Sequence, residues 1–349
     1  MKIRERGVKI GKQKPGKKNC ITDIEGVRVG HVTLDDPLQG EGEYACTGVT
    51  AILPHGGNLF HEKVPAASYV INGFGKTTGL VQVEELGLLE SPIMLTNTFG
   101  VPAVTQGTLK YMLKNTPEIG ETTGTINIVV GECNDGYLNS IRELPVKPEH
   151  AIEAIESAKE DIAVEGAVGA GKGMVCFGYK GGVGSASRVI NEEKKPAEYI
   201  IGCLVVTNFG NKDDFPFSKY GLFSEDVKEV NETPDGSIMI VLATNAPVSD
   251  RQLKRLAKRC GIGLGRTGSH FSNGSGDIVI AFSTANKVSH QSNHMIETAH
   301  FLRDDHPIMN QLFQGAAEAA EEAILNSLSQ AETTKGRNGR VVAGMFSKR

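Results

Sequence analysis

Ser237 stands where a polar segment meets an apolar run, a position that suits a nucleophile. A serine hydroxyl attacks a carbonyl poorly unless a base lies beside it. The sequence contains no G-x-S-x-G motif in a strand–turn–helix setting, the arrangement in which many hydrolases present a serine to a histidine. A different base arises if the bond between Gly236 and Ser237 breaks, because the new α-amino group has a pKa of about 7.7 to 8.0 and belongs to the same residue.

The chain on either side of Gly236 fits that chemistry. Residues 208–235 are rich in charged side chains and include two prolines, so they predict an exposed loop of a length that is commonly functional. Glycine lacks a Cβ and lets a scissile bond bend. The run from Ile238 to Ala243 predicts a strand that holds the new terminus. An ordinary turn leading into a strand explains the same local residues, so both interpretations stay open.

Four other positions supply groups that acyl transfer needs. Asn208 follows an apolar run, and its amide could donate to a developing oxyanion; a simple turn residue is the alternative. Glu132 closes another apolar run, and its carboxylate could pair with a substrate ammonium unless it is merely solvated. Ser275 and Asp277 place a hydroxyl and a carboxylate before a third run, where a tight turn is the more common explanation of such residues.

The elements that must position these groups are short apolar strands and amphipathic helices. Runs rich in β-branched residues predict strands at 48–53, 126–130, 174–177, 199–206, 238–243 and 277–282. A period near 3.6 predicts helices at 150–163, 249–260 and 311–327, with a weaker pattern at 76–88. Gly-rich turns rather than regular crossovers follow many strands, which favours a layered α/β sandwich over a doubly wound sheet.

Other chemistries fail on particular residues. Residues 166–172 match G-x-x-x-x-G-K, but Gly173 stands where a P-loop needs Ser or Thr for magnesium. Four side chains have helical spacing without the order of a metal-binding helix, which favours a polar helix surface: His290, His294, Glu297 and His300. We therefore expect no metal and no cofactor.

Composition indicates the compartment of the protein and the kinds of partner that it is expected to bind. A net charge of −4 gives no general attraction to nucleic acid. No run approaches the roughly 18 apolar residues that span a bilayer, so we expect no membrane partner. The six scattered cysteines form no C-x-x-C pair, which indicates free thiols in a reducing, cytoplasmic compartment. Residues 1–20 are basic, lack a signal sequence, and predict a frayed extension.

A series of ordered blocks resembles the L-aminopeptidase/D-esterase family, which includes the β-aminopeptidyl peptidases. The most specific block, Gly236 to Pro247, is similar to the start of that family's small subunit. The others, in chain order, are 21–27, 76–80, 95–98, 130–132, 135–139, 178–182, 274–277 and 339–342. The resemblance therefore covers nearly the whole chain.

The resemblance implies a four-layer αββα sandwich of the N-terminal-nucleophile type. It implies a single domain at residues 21–349 that cuts itself at Gly236–Ser237 into a large chain, 1–236, and a small chain, 237–349.

Family roles can also be carried to individual residues. Ser275 and Asp277 would assist Ser237, although some relatives have Glu in place of Asp277. Tyr137 would join Asn208 in lining the oxyanion hole.

The implied activity is removal of N-terminal residues from short peptides, amides or esters through an acyl-enzyme on Ser237. By the same resemblance the protein would be a homo-oligomer, a tetramer of processed units. Two alternatives remain. One is an acyltransferase like the self-cleaving ornithine acetyltransferase, which would favour Thr as nucleophile. The other is an unprocessed, non-enzymatic binding protein on the same fold.

Overall fold

Residues 1–191, 198–223 and 236–347 are described by a computed structural model. In chain order their strands are β1 (Arg28–Pro37), β2 (Tyr44–Leu53), β3 (Glu62–Gly73), β4 (Leu88–Leu89), β5 (Ile93–Asn97), β6 (Val129–Cys133), β7 (Val175–Cys176), β8 (Tyr179–Lys180), β9 (Gly182–Asn191), β10 (Glu198–Asn208), β11 (Ser237–Thr244), β12 (Gly276–Ser283), β13 (Val288–Ser289), β14 (Thr334–Lys335) and β15 (Val341–Val342). The α-helices are α1 (Leu80–Leu86), α2 (Val101–Asn115), α3 (Pro148–Glu156), α4 (Asp250–Arg266) and α5 (Ile308–Gln330).

Two mixed sheets form the centre of the molecule. The first has the strand order β1-β2-β5-β6, and the second has the order β13-β3-β12-β11-β10-β9 with β4 paired to β3. In the second sheet β11 pairs antiparallel with β10 and parallel with β12. Consequently β11 and β12 begin at the end of the sheet where β10 finishes.

The two sheets pack face to face, and helices cover both outer faces. Leu95 and Val129 of the first sheet share one buried cluster with Val241 and Ile280 of the second. Helices α2 and α3 pack on the outer face of the first sheet, and α4 and α5 pack on that of the second. This order of layers confirms the predicted four-layer αββα sandwich.

Local sequence explains the elements nearest the centre. All eight residues of β11 are buried, and the six between its terminal Ser237 and Thr244 are apolar, as expected of a strand with both faces covered. Helix α4 begins with a capping box: the Ser249 Oγ accepts from the Gln252 N–H at 3.3 Å, and the Gln252 Oε1 accepts from the Ser249 N–H at 3.0 Å.

The expectation of a frayed N-terminal segment is wrong. Ile3, Val8 and Ile10 are buried in the same core cluster as the inner residues of α5. Arg4 also forms an ion pair with Glu322 of α5 at 2.7 Å. The segment therefore covers the outer side of α5, which explains why nearly the whole of that helix is buried.

The expectation of an exposed loop at 208–235 is wrong for its first half. Phe209, Phe215 and Tyr220 are buried, and Phe215 stacks edge-on against Phe217 at a centroid distance of 4.7 Å. Residues 224–235 lie outside the described residues.

Other predicted elements differ in extent. The helix predicted at 150–163 ends at Glu156, and the strand predicted at 126–130 is β6, three residues further along. The strand predicted at 174–177 is reduced to the two residues of β7. Residues 290–300 form no helix but an exposed irregular segment. The sequence patterns also missed β1, β3, β5, β9 and α2.

Candidate active site

Ser237 is the first residue of β11 and lies between two neighbouring strand ends. It pairs with Asn208, the last residue of β10, and with Gly276, the first residue of β12. Ser237 is only 5% exposed, and its Oγ accepts a hydrogen bond from the Gly276 N–H at 3.2 Å. Because three strands meet at this end, groups distant in sequence converge on one hydroxyl.

Gly236 occupies a space that admits no side chain. A Cβ on this residue would lie 1.9 Å from the Asn208 carbonyl oxygen and 2.4 Å from the Cα of Phe209. Any other residue here would push the chain away from the end of β10. The sequence suggested this glycine for its flexibility, and the structure adds that close packing requires it.

Ser275 and Asp277 flank Gly276, and their side chains bond to each other. The Ser275 Oγ donates to Asp277 Oδ1 at 2.6 Å. Asp277 has no exposed surface, and burial raises the pKa of its carboxyl to about 6, against the lowering effect of the Ser275 hydrogen bond. Its Oδ2 has no hydrogen-bond partner among the described residues. This buried hydroxyl–carboxylate pair thus adjoins the Gly276 N–H that contacts Ser237.

The Asn208 side chain is held in one orientation by two backbone groups. Its Oδ1 accepts from the Val175 N–H at 2.9 Å, and its Nδ2 donates to the Asn134 carbonyl oxygen at 2.9 Å. These contacts assign the two ends of the amide. An amide nitrogen has two N–H groups, and within the described ranges only one is used, so the second is available to a ligand.

Glu132 lies in β6 of the first sheet and is buried, so the alternative of a solvated carboxylate is wrong. Its Oε1 accepts from the Lys76 N–H at 2.8 Å, and its Oε2 accepts from the Thr98 hydroxyl. A Cβ on Gly75 would lie 3.7 Å from Glu132 Oε1 and 3.6 Å from the Cα of Gly276. Gly75 therefore lies close to both the Glu132 carboxylate and the start of β12.

Tyr137 lies in the turn after β6, but its observed contacts point elsewhere. The Arg340 guanidinium sits over its ring at 4.7 Å, and the ring packs beside Tyr44 and Leu138. Within the described ranges its hydroxyl makes no hydrogen bond to the other candidate residues, so its family role stays a prediction. Sequence reasoning missed Asn134, whose backbone carbonyl is the group that contacts Asn208. Because every residue type has a backbone carbonyl, the identity of residue 134 gives no sign of this contact.

An open cleft of about 1010 Å³ lies beside Glu132. Thr98, which bonds to the Glu132 carboxylate, is one of its wall residues, so the cleft and the carboxylate share a wall. Most of the remaining wall is apolar and comes from α2 with the residue Phe99 before it, and from the segment that leads into α3: Phe99, Val101, Pro102, Ala103, Leu109, Leu144, Val146 and Pro148.

The described part of the chain contains no group of three or more His, Cys, Asp or Glu side chains that could hold a metal ion. His290 instead contacts the Thr123 hydroxyl and packs near the Phe60 ring. No helix among residues 1–191, 198–223 and 236–347 is long and apolar enough to cross a membrane.

Comparison with known proteins gives one consistent result. The family described as Peptidase family S58 matches residues 19–342. A β-peptidyl aminopeptidase, BapA from Sphingosinicella microcystinivorans, is 39% identical over 94% of this chain and 86% of its own. The PH0078 protein of Pyrococcus horikoshii OT3 superimposes with a TM-score of 0.90 at 47% identity, over 99% of this chain and 96% of that one.

A further solved structure gives the fold its name. The L-aminopeptidase D-Ala-esterase/amidase of Ochrobactrum anthropi superimposes with a TM-score of 0.87 at 33% identity, over 98% of this chain and 95% of that one. That protein is described as a prototype of the serine aminopeptidases and as a variant of the Ntn hydrolase fold. The αββα sandwich is therefore of the Ntn hydrolase type.

Proposed function

The chain belongs to peptidase family S58, and we propose that it is a serine aminopeptidase that activates itself by cleavage between Gly236 and Ser237. One observation carries the proposal: the Ser237 hydroxyl is buried at the start of β11, directly after a glycine that is packed against the end of β10. The relatives support it, because the names of two include aminopeptidase. Cleavage would leave chains 1–236 and 237–349 associated, since β10 and β11 stay paired.

The atoms that react in self-cleavage belong to Ser237, Gly236 and one water molecule. The Ser237 Oγ attacks the carbonyl carbon of Gly236, and the C–N bond breaks as the departing nitrogen takes up a proton. The product is an ester between the Gly236 carbonyl and the Ser237 oxygen. One water molecule then hydrolyses the ester, which releases the Gly236 carboxylate and leaves Ser237 with a free amine and a free hydroxyl.

Turnover uses the same oxygen with the new amine as its base. The α-amino group of Ser237 accepts the Oγ proton as Oγ attacks the substrate carbonyl. The proton passes to the leaving amine or alcohol, and water hydrolyses the resulting acyl ester. Because the free amine titrates near pH 7.7 to 8.0 when unperturbed, we expect activity to rise with pH towards that range.

The surrounding groups have separate roles in this scheme. The Ser275 hydroxyl, held by the buried Asp277, hydrogen-bonds to the amine or the Oγ of Ser237 and keeps them aligned. The free N–H of the Asn208 amide stabilises the oxyanion, together with Tyr137. The convergence of the three strand ends on Ser237 supports the roles of Ser275, Asp277 and Asn208, and the role of Tyr137 rests on the family resemblance alone.

Glu132 explains why the enzyme would act at chain ends. A buried carboxylate that accepts from one N–H and one hydroxyl has lone pairs left for a substrate ammonium. A substrate with a blocked amine would leave this carboxylate unpaired, which is costly in a buried site. The adjoining apolar cleft would then receive the apolar side chain of the N-terminal residue.

Mass analysis of the purified protein with a matched substrate pair tests the proposal. We expect two chains, the smaller with 113 residues and Ser237 at its N-terminus. We also expect hydrolysis of an aminoacyl p-nitroanilide but not of its N-acetyl derivative. A single full-length chain would favour the unprocessed binding protein, and transfer of the acyl group to an added amine in preference to water would favour the acyltransferase.

A further inference from the structure

Lys180, the second residue of β8, is a completely buried lysine whose charge is held by the backbone alone. Its Nζ donates to the carbonyl oxygens of Gly171 at 2.9 Å, Met174 at 2.7 Å and Gly181 at 2.7 Å. An ammonium has three N–H donors, so these carbonyls use all of them. In the described ranges no carboxylate forms a salt bridge with this nitrogen. Lys180 therefore has no donor left for a substrate and can act only through the backbone it binds.

Stability alone gives a poor reason for a lysine at this place. Burying an ammonium without a counter-ion is costly, and burial lowers the pKa of Lys180 to about 7. Even buried charges that are paired can often be replaced, together with their partners, by apolar residues of similar volume at no loss of stability. What the lysine does provide is order: because its Nζ binds three backbone carbonyls at once, it holds the segment 171–181 in a single conformation.

That segment presents the hydrogen bond that orients Asn208. Val175 pairs with Lys180 in the β7–β8 ladder and directly follows Met174, one of the three residues bound by Nζ. The Val175 N–H donates to Asn208 Oδ1 at 2.9 Å. An amide that lost this donor could rotate by 180° and turn its oxygen, rather than its nitrogen, towards a developing oxyanion. Such an orientation would repel the charge that it should stabilise.

We propose that Lys180 is a positioning residue, which fixes the Val175 N–H and thereby keeps the Asn208 nitrogen directed at the oxyanion. The inference rests on the proposed function, in which Asn208 stabilises the charge formed on the substrate carbonyl by Ser237.

A double-mutant cycle tests the coupling between the two side chains. It compares the unchanged enzyme, Lys180→Met, Asn208→Ala and the double variant, with kcat and KM measured on processed protein for one aminoacyl p-nitroanilide. Asn208→Ala should lower kcat by roughly 10²- to 10³-fold. Lys180→Met should lower kcat by about tenfold or more, but by no more than Asn208→Ala does, because it acts only through Asn208. It should change KM by less than about threefold. In the Asn208→Ala background the same change should lower kcat by less than about twofold. An equal loss in both backgrounds would overturn the proposal.

Controls keep every outcome decisive. Lys172→Met removes a neighbouring lysine whose Nζ bonds the Asp35 carboxylate at 2.7 Å, and it should leave kcat unchanged. Lys180→Gln serves if Lys180→Met does not fold, and where a variant stays unprocessed the rate of self-cleavage replaces kcat in the cycle. If neither Lys180 variant folds, the residue serves folding and the proposal is wrong.

Failure of the cycle is distinguishable from failure of the proposed function. Ser237→Ala tests the nucleophile and involves neither residue of the cycle. If Ser237→Ala is inactive but Asn208→Ala retains full kcat, the positioning role is wrong and the nucleophile stands.

Discussion

Two buried polar clusters border the second sheet and differ in how their charges are balanced. The first, the α5 ionic cluster, consists of Arg4, Arg188, Glu318 and Glu322. The fully buried Arg188 lies 2.6 Å from Glu322 and 3.2 Å from Glu318, and Arg4 lies 2.7 Å from Glu322. Each carboxylate in this cluster therefore has a cation beside it.

The second cluster, the nucleophile cluster, consists of Ser237, Ser275 and Asp277. Its carboxylate has no cation in the described ranges, and it accepts a hydrogen bond from the Ser275 hydroxyl. Burial raises the pKa of Asp277 to about 6. Burial alone would also raise the pKa of Glu318, but hydrogen bonds from backbone N–H groups and Gln314, with the charge of Arg188, lower it.

The difference separates stability from chemistry. A buried carboxylate that is paired with an arginine holds secondary-structure elements together, and removal of the arginine lowers the free energy of unfolding. A buried carboxylate without a cation is kept at the expense of stability, which is typical of functional sites. The α5 ionic cluster also joins residues on both sides of the proposed cut, because Arg4 and Arg188 precede residue 236 and both glutamates follow it.

The largest expected effect is on Ser237. Ser237→Ala should abolish both self-cleavage and turnover, since one oxygen serves both steps. Gel electrophoresis and the p-nitroanilide assay measure this. Ser283→Ala is the control, because Ser283 is also buried but lies at the opposite end of β12, where its Oγ donates to the Ala246 carbonyl at 2.7 Å. This variant should show two chains and full activity. Two chains in Ser237→Ala would place the nucleophile elsewhere.

A large effect on stability, without loss of chemistry, is expected in the α5 ionic cluster. Arg188→Met leaves the buried Glu318 without its arginine and should lower the free energy of unfolding by about 3–5 kcal/mol. Urea denaturation measures this, and kcat of the folded fraction should be unchanged. Arg303→Met removes a solvent-exposed pair with Asp305 and should leave the free energy of unfolding nearly unchanged, because water screens the two charges. Equal costs for the two variants would remove the distinction between the clusters.

Two buried asparagines sharpen the comparison. Asn208→Ala should lower kcat by roughly 10²- to 10³-fold, because an oxyanion donor is lost. Asn326→Ala, next to the α5 ionic cluster, removes bonds with the Ile3 N–H and the Ser185 carbonyl. It should lower the free energy of unfolding by about 1–3 kcal/mol and leave kcat unchanged. Measurement of kcat and of urea denaturation for both variants tests this difference. If the two variants lost kcat and stability to similar extents, the account would be contradicted.

The smallest expected effect is on the pH dependence of stability. Because the folded pKa of Asp277 is raised to about 6, the native state loses stability as pH rises from the unfolded value of 3.8 through 6. In a Ser237→Ala background, which keeps one chain, Asp277→Asn should raise Tm at pH 8 and change it less at pH 4. Glu318→Gln should do the opposite and lower Tm above pH 4.5, because the folded pKa of Glu318 is lowered. A lower Tm for Asp277→Asn at pH 8 would show that the carboxylate is compensated after all.

The strands and helices that sequence predicted are those whose burial follows simple rules. Strands β10, β11 and β12 contain continuous apolar runs, β2 is rich in apolar and β-branched residues, and α4 and α5 have clear helical periods. Strand β9 was missed because small and polar residues occupy a buried position. Gly184 in β9 shows why: a Cβ there would lie 2.0 Å from the Ala323 carbonyl of α5, so the helix packs directly on the strand backbone. In sequence such residues resemble a loop.

The site was predictable where it depends on strand ends. Ser237, Asn208 and Gly276 each begin or end an apolar run, and the run of Ser237 pairs with the other two. Groups that act through backbone contacts, such as Asn134 and Lys180, carry no such signal. The tetramer, the cytoplasmic location and the processed chains remain predictions.

The central claim is that Ser237 carries the acyl group, and trapping the acyl-enzyme tests it most directly. The protein is mixed with a slowly hydrolysed aminoacyl ester, quenched in acid, and analysed by intact mass and peptide mapping. We predict an added acyl mass on the 113-residue chain, located on its first residue, Ser237. An acyl group on Ser275 or on any residue of the larger chain, or rapid turnover with only a full-length chain present, would contradict the account.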